Sequence, residues 1–232
     1  MATIFLVEDN EAISEAVAGY LELAEHSVRL FYSGTGVVEA VQREVPDLII
    51  LDVMLPGENG FAIAKRIRKL RDTAFLFLTA RESESDRILG FELGAEDYVV
   101  KPFSPRELVL RIEAILRRLL IPLDTGSTHS NDVTLSDGRQ TLELREEHHQ
   151  ALLDGHQIDL TASEWRILSY LAHRPEILIS REQLLTEGLD YLHDGSERTV
   201  DTHIKNIRAK LGSQWITTIR GFGYRCSTET VL

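Results

Sequence analysis

The chain has 232 residues, enough for two domains with separate cores, and the balance of an ordinary globular protein, 43% hydrophobic and 27% charged. No apolar run approaches the ~18 residues of a membrane span, and the start "MATIFLVEDNE" has neither the basic stretch nor the cleavage site of a signal peptide. The one cysteine, Cys226, excludes an internal disulfide and a Cys-rich zinc site, and a net charge of −12 excludes a generally basic nucleic-acid surface, leaving only a local patch. A reducing, cytoplasmic setting is the expectation.

From the N-terminus, short apolar runs at 4–7, 48–51, 75–78 and 98–100, with a more alternating one at 28–32, are separated by amphipathic stretches near 10–24, 35–44, 59–71, 83–93 and 104–119. Runs of this kind, each followed by a helix-period stretch, predict β-α units and a five-stranded, doubly wound parallel sheet covered on both faces. Ser104-Pro105-Arg106-Glu107 places a cap, a first-turn proline and a capping-box glutamate in the right order for the last helix. The stretch "IPLDTGSTHSND" (121–132) lacks periodicity and is rich in Pro, Gly, Ser and Thr, which predicts a linker. The expected division is a first domain over 1–121, a linker over 122–131 and a second domain over 132–232.

In the second domain, alternating segments over 133–160 broken by Asp137-Gly138 and Asp154-Gly155 predict antiparallel strands. Two capping boxes, Thr161-x-x-Glu164 and Ser180-x-x-Gln183, open two helices, and a third is expected over 197–211. The closing "WITTIRGFGYRC" is a hairpin. Three helices and a terminal hairpin suggest an α+β winged helix-turn-helix.

Ligands of open parallel sheets bind beyond the carboxyl ends of the strands. Those ends carry Glu8-Asp9, Asp52, Thr79-Ala80 and Lys101-Pro102. Three converging carboxylates repel one another unless a cation lies between them, and an all-oxygen set suits Mg²⁺. A lysine and a hydroxyl opposite the cation would hold the oxygens of a transferred phosphoryl group, with Asp52 as its acceptor.

Glu8-Asp9, Asp52 with Pro56 and Gly60, Thr79-Ala80 and Lys101-Pro102-Phe103, in this order and spacing across residues 2–121, resemble the flavodoxin-like receiver domain of two-component response regulators. The resemblance implies that Asp52 takes a phosphoryl group from a sensor histidine kinase, with Mg²⁺ held by Glu8, Asp9, Asp52 and the main-chain carbonyl of Met54. It implies a switch of Thr79 toward the phosphoryl group and of the Tyr98 ring inward. Only a slow self-dephosphorylation is implied, with Met54 and Arg81 beside the site. The haloacid-dehalogenase type of phosphatase, which also uses a strand-end aspartate, needs a second acid two residues on, where this chain has Met54.

"RTVDTHIKNIRAKLG" followed by "TTIRGFGYR" is similar to the recognition helix and wing of the OmpR/PhoB subfamily. On the helix, Val200, Ile204, Ile207 and Leu211 form an apolar stripe, and residues 197–211 net +2. The resemblance implies double-stranded promoter DNA as partner, contacted by Arg198, Thr199, Thr202, His203, Lys205, Asn206 and Arg208, with Arg220 at the minor groove and Thr218 and Tyr224 near phosphates. Asn206 stands where an arginine is frequent in the family and would favour adenine. The subfamily also implies a homodimer through the fourth helix, fifth strand and fifth helix, pairing Arg87 with Glu107, Asp97 with Arg111, and Glu96 with Arg118 across two chains. An intrahelical Glu107–Arg111 pair is the simpler alternative. The loop from Gly188 to Ser196 is a candidate contact for RNA polymerase. The 133–160 stretch is longer than usual in relatives, and His148, His149 and His156 within it are expected on the surface of an extended hairpin. A phosphorylation-switched transcription factor is thus the first reading, and a DNA-binding module that dimerises without phosphate the second.

Overall fold

The apolar runs of the N-terminal half become parallel strands because each has two apolar faces to bury. In the computed structural model of the chain, which describes residues 1–71, 73–80, 84–120, 132–189, 197–226 and 229–230, the chain splits into a unit of Met1–Leu119 and a unit of Leu120–Leu232. The expected linker, 122–131, lies outside the described residues.

The first unit alternates β1 (Thr3–Val7), α1 (Glu11–Leu23), β2 (Ser27–Phe31), α2 (Val37–Arg43), β3 (Leu48–Asp52), α3 (Gly60–Arg68), β4 (Ala74–Thr79), α4 (Glu84–Glu92), β5 (Ala95–Val100) and α5 (Pro105–Leu120). The strands are parallel in the order β2-β1-β3-β4-β5. Phe5, Val7, Ile49, Leu51, Phe75 and Phe77 pack with α2, α3 and Phe91 of α4 on one face. Ile4, Leu6, Leu48, Ile50, Leu76 and Leu78 pack with α1 and α5 on the other. The period of two along each strand therefore supplies both layers from one sequence run. The order reverses at β1, so the carboxyl ends of β1 and β3 form the crevice where such sheets bind ligands.

β5 begins at Ala95, three residues before the apolar run that announced it, so Glu96 and Asp97 lie within the strand rather than in the turn before it. Both are buried, a placement their charge disguised.

The second unit opens with β6 (Val133–Ser136), β7 (Thr141–Arg145), a 3₁₀ turn at Glu146–His148, β8 (Gln150–Leu153) and β9 (His156–Ile158). Then come α6 (Ala162–Ala172), β10 (Ile179–Ser180), α7 (Arg181–Gln183, continued by a π turn over Leu184–Gly188), α8 (Glu197–Leu211), β11 (Ile216–Ile219), β12 (Gly223–Cys226) and β13 (Glu229–Thr230). Thr161 and Ser180 both close the capping boxes read from the sequence. The helices bury Trp165, Leu168, Leu171, Leu184, Val200, Ile204 and Ile207 in one core with Leu142, Leu144 and Trp215. β10, β12 and β11 form a second antiparallel sheet with β12 in the middle.

The 133–160 stretch is not a free hairpin. Its 3₁₀ turn tucks Glu146 under α6, where Ser169 Oγ donates to Glu146 Oε1 at 2.6 Å. His149 is half-buried, edge-on to Trp165 with ring centroids 5.7 Å apart, so only His148 and His156 are the exposed histidines expected there.

Candidate functional site

At the carboxyl end of the parallel sheet, Asn10 caps α1 by accepting from the Ile13 amide at 3.1 Å, and Ser14 Oγ donates to the Glu8 carbonyl at 3.1 Å. These bonds fix the turn that carries Glu8 and Asp9. On β3, Asp52 Oδ1 accepts from the Met54 amide at 2.8 Å. Gly60 abuts this strand end so closely that a Cβ there would lie 2.2 Å from the Asp52 carbonyl oxygen, so no side chain fits. Glu8, Asp9 and Asp52 offer oxygens that all lie within 4.8 Å of one another. Lys101, following β5, places Nζ at 2.6 Å from Asp52 Oδ2 and 2.5 Å from Glu8 Oε2.

The charges do not balance. Glu8 and Asp52 are both buried, and two such charges less than 5 Å apart repel by roughly 3–4 kcal/mol at an effective dielectric of about 20. Burial pushes the Glu8 carboxyl up, Lys101 pulls it down, and Asp52 pushes it up again, with a net rise. Burial alone would lower Lys101, but its bonds to Asp52 and Glu8 carry it above its ordinary value. One ammonium against three carboxylates leaves an oxygen-lined concentration of negative charge, the donor set that a hard divalent cation such as Mg²⁺ fits.

Thr79 ends β4 fully buried, and its carbonyl accepts from the Lys101 amide at 2.7 Å; Ala80 beside it is exposed. Tyr98 is buried in β5 beneath α4, where Gly90 leaves it room: a Cβ at Gly90 would come within 3.1 Å of the Tyr98 ring. Gly90 carries no sequence signal beyond being a glycine in a helix, and only its packing shows its use. Arg81 lies outside the described residues.

The expected intermolecular pair of Asp97 with Arg111 is met within one chain. Arg111 Nη1 lies 3.4 Å from Asp97 Oδ2, and Arg111 Nη2 lies 2.9 Å from Glu107 Oε1. Glu96 is buried, Arg87 is half-buried on α4, and the Arg118 side chain is outside the described residues.

In the second unit, α8 does not present all the residues expected of a reading face. Thr199, Thr202 and His203 are buried, and Thr202 Oγ1 donates back to the Arg198 carbonyl at 3.1 Å. The apolar stripe is wide enough to take in these neighbours, which leaves Arg198, Lys205 and Asn206 facing outward. Arg208 turns onto the wing, donating to the Ile216 carbonyl at 3.1 Å and to Thr218 Oγ1 at 2.8 Å. Tyr224 is also buried, with its hydroxyl donating to Asp201 Oδ1 at 2.6 Å. Arg220 and Phe222 are exposed at the tip of the hairpin. Of the loop from Gly188 to Ser196, residues 190–196 lie outside the described residues.

Residues 4–113 match the family described as response regulator receiver domain, and residues 155–226 match that described as transcriptional regulatory protein, C terminal. The structure is similar to that of DrrB, a Thermotoga maritima OmpR/PhoB homolog, at 30% identity and a TM-score of 0.52, covering 98% of this chain and 99% of that one. The chain is a response regulator of the OmpR/PhoB family. The transcriptional regulatory protein BaeR of Escherichia coli is 38% identical over 97% of this chain and 93% of its own length. SrrA of Staphylococcus aureus is 37% identical over 98% and 96%. A RitR mutant structure is similar at 25% identity and a TM-score of 0.70, covering 99% of this chain and all of that one.

This response regulator joins a receiver domain, whose partner is a histidine kinase, to a winged-helix domain, whose partner is DNA. No helix among its described residues is long and apolar enough to cross a membrane. Two residues missed in the sequence, Arg181 and Asp201, hold Tyr224 between them. Nothing in their spacing announces the contact, because 20 and 23 residues separate them from their partners.

Proposed function

We propose that this response regulator is switched by phosphorylation of Asp52 and, once switched, dimerises and binds tandem promoter half-sites. The observation that carries the reading is the Glu8–Asp9–Asp52 cluster facing Lys101, with oxygens within 4.8 Å. Glu8, Asp9, Asp52 and the Met54 carbonyl would hold Mg²⁺, which when bound offsets negative charge on the carboxylates and the incoming phosphoryl oxygens. Asp52 supplies the attacking oxygen, and as its O–P bond forms, the P–N bond to the phosphohistidine of the sensor kinase breaks and the imidazole leaves. Lys101 releases its hold on Asp52 Oδ2 and meets the phosphoryl oxygens instead, with Thr79 and the amide at Ala80 on the other side. The chemistry ends with slow hydrolysis of the same acyl phosphate, so the protein acts as a cytoplasmic transcription factor rather than as an enzyme on other substrates.

Thr79 and Tyr98 relay the change to α4, β5 and α5. Dimer contacts there draw on Arg87, Glu96, Asp97, Glu107, Arg111 and Arg118. Because Arg111 is already held by Asp97 and Glu107 of its own chain, an interchain pair forms by exchange of partners, with little net gain in charge pairing. On DNA, α8 enters the major groove with Arg198, Lys205 and Asn206 outward, and Arg220 reaches the minor groove. Residues 122–131 connect the two units as a linker, and the loop from Gly188 to Ser196 is offered to RNA polymerase.

Incubation with acetyl phosphate and Mg²⁺ tests the first step. Wild type is expected to acquire an acid-stable, base-labile label. Asp52→Asn should take none, and Asp9→Ala should take far less. Acid-stable labelling of Asp52→Asn would overturn the assignment.

A further inference from the structure

Asp201 is an acid on a helix offered to a polyanion. Electrostatics alone makes it a liability, since a carboxylate near phosphates repels them. Its surroundings give it another use. Asp201 Oδ1 accepts from Tyr224 Oη at 2.6 Å and from Arg181 Nε at 2.7 Å, so one oxygen ties α8 to both α7 and β12. The Arg181 guanidinium carbon lies 5.0 Å from the Tyr224 ring centroid, and that of Arg208 lies 5.8 Å from it. Arg208 in turn grips β11 through Ile216 and Thr218, and Thr218 is the cross-strand partner of Tyr224. The ring of the central wing strand is therefore approached by two guanidinium groups and anchored by one carboxylate. Burial and then the bond to Asp201 push the Tyr224 phenol up to about 12, so the hydroxyl keeps its proton for this bond throughout the neutral range.

We infer that Asp201 and Tyr224 are positioning residues: their bond, braced by Arg181 and Arg208, fixes the angle between recognition helix and wing, so that major-groove and minor-groove contacts are made together. The inference rests on the reading of α8 as the DNA-contacting helix. It takes Tyr224 away from the phosphate contact that sequence resemblance implied and gives Arg208 a bracing role. A preset angle matters because ordering the wing on DNA would otherwise cost conformational entropy with each binding event.

The test uses the full-length protein treated with acetyl phosphate and Mg²⁺, bound to a fluorescent duplex obtained by selection from random DNA. Asp201→Asn removes a negative charge from the interface, so simple electrostatics demands tighter binding. The clasp demands weaker binding instead, by up to about tenfold, because the neutral amide oxygen that replaces the carboxylate accepts more weakly than a charged group. Tyr224→Phe, which keeps the ring, removes the donor of this bond outright and is expected to lose at least as large a factor, and the double variant no more than Tyr224→Phe alone, because both substitutions act on the same bond. Arg220→Ala should flatten the A/T preference of wild type yet change little in Asp201→Asn or Tyr224→Phe, a coupling that a merely structural role would not produce. Thermal melting accompanies each variant. Should Asp201→Asn fail to fold, the Tyr224→Phe and Arg220→Ala cycle decides alone. Tighter binding by Asp201→Asn, additive losses in the double variant, or an undiminished Arg220→Ala effect would overturn the clasp. Lys205→Ala separates the two readings. If it binds as wild type does, the recognition-helix reading falls and takes the clasp with it; if it binds weakly while the other losses add, only the clasp falls.

Discussion

A single side chain, Glu8, shows what the receiver crevice costs the fold. Its carboxyl is pushed above the ordinary 4.5 by burial and by Asp52, more than Lys101 pulls it down. A raised folded-state value means that the native protein favours the protonated form. The associated stability is fully present below pH 4.5 and is lost as pH rises through the raised value. In chelator, the melting temperature of Glu8→Gln should therefore match wild type at low pH and exceed it increasingly as pH rises toward neutrality. Saturating Mg²⁺ should shrink that gap by stabilising the ionised wild-type cluster. Calorimetry at several pH values, with and without Mg²⁺, checks both. A Glu8→Gln protein less stable than wild type at pH 7 in chelator would show that the Lys101 pair outweighs the burial. The residue types at this site were plain in the sequence because strand-end acids interrupt apolar runs. Gly90 was less so, because a close approach leaves no mark except the absence of a side chain.

Among the elements, α5 illustrates how a pairing read from spacing changes meaning once neighbours are placed. Glu107 and Arg111 are one turn apart, and their exposed pair is worth about 0.3–0.5 kcal/mol. Asp97 is different, since β5 holds it buried against the same guanidinium at 3.4 Å. Arg111→Gln leaves that carboxylate without its cation and should cost the receiver about 1–3 kcal/mol, whereas Glu107→Gln should cost less than about 0.5 kcal/mol. Urea titrations of the two variants give the comparison. Equal losses would mean that the Asp97 contact contributes nothing. The same arrangement predicts that dimerisation on phosphorylation tolerates Glu107→Gln better than Arg111→Gln in sedimentation measurements.

For the whole molecule, the decisive quantity is where charge lies rather than how much there is. On the proposed reading, a chain of net −12 meets DNA through a local patch, with Arg198 and Lys205 exposed on one helix and Arg220 at one hairpin tip of the second unit. Two such units in a head-to-tail pair would cover direct repeats spaced about one helical turn apart. Selection from random DNA is expected to return such repeats with an A/T-rich flank for Arg220. Asn206→Ala should relax one adenine-containing position by about 1–3 kcal/mol of discrimination. Lys205→Ala should instead weaken all sequences alike and reduce the salt slope by roughly one. An unchanged motif from Asn206→Ala, with a rewritten one from Lys205→Ala, would exchange the two roles.

The sequence by itself determined the elements and the chemistry of the receiver crevice. Short continuous apolar runs, capping boxes at Thr161 and Ser180, and charged residues at strand ends are local patterns that hydrogen bonding and burial translate directly into structure. Only the tertiary structure decided which polar groups were already committed. Tyr224 and Arg208 look like DNA ligands in one dimension, yet Asp201, Ile216 and Thr218 take their donors. Thr202 and His203 look outward-facing until the docking angle of α8 buries them. Asp97 and Glu96 look like a turn until β5 reaches back to include them. The reason is common to all of these residues. A side chain's type is written in the chain, but its burial and its partners are set by elements many residues away, and most polar groups that become buried draw a partner from one of them.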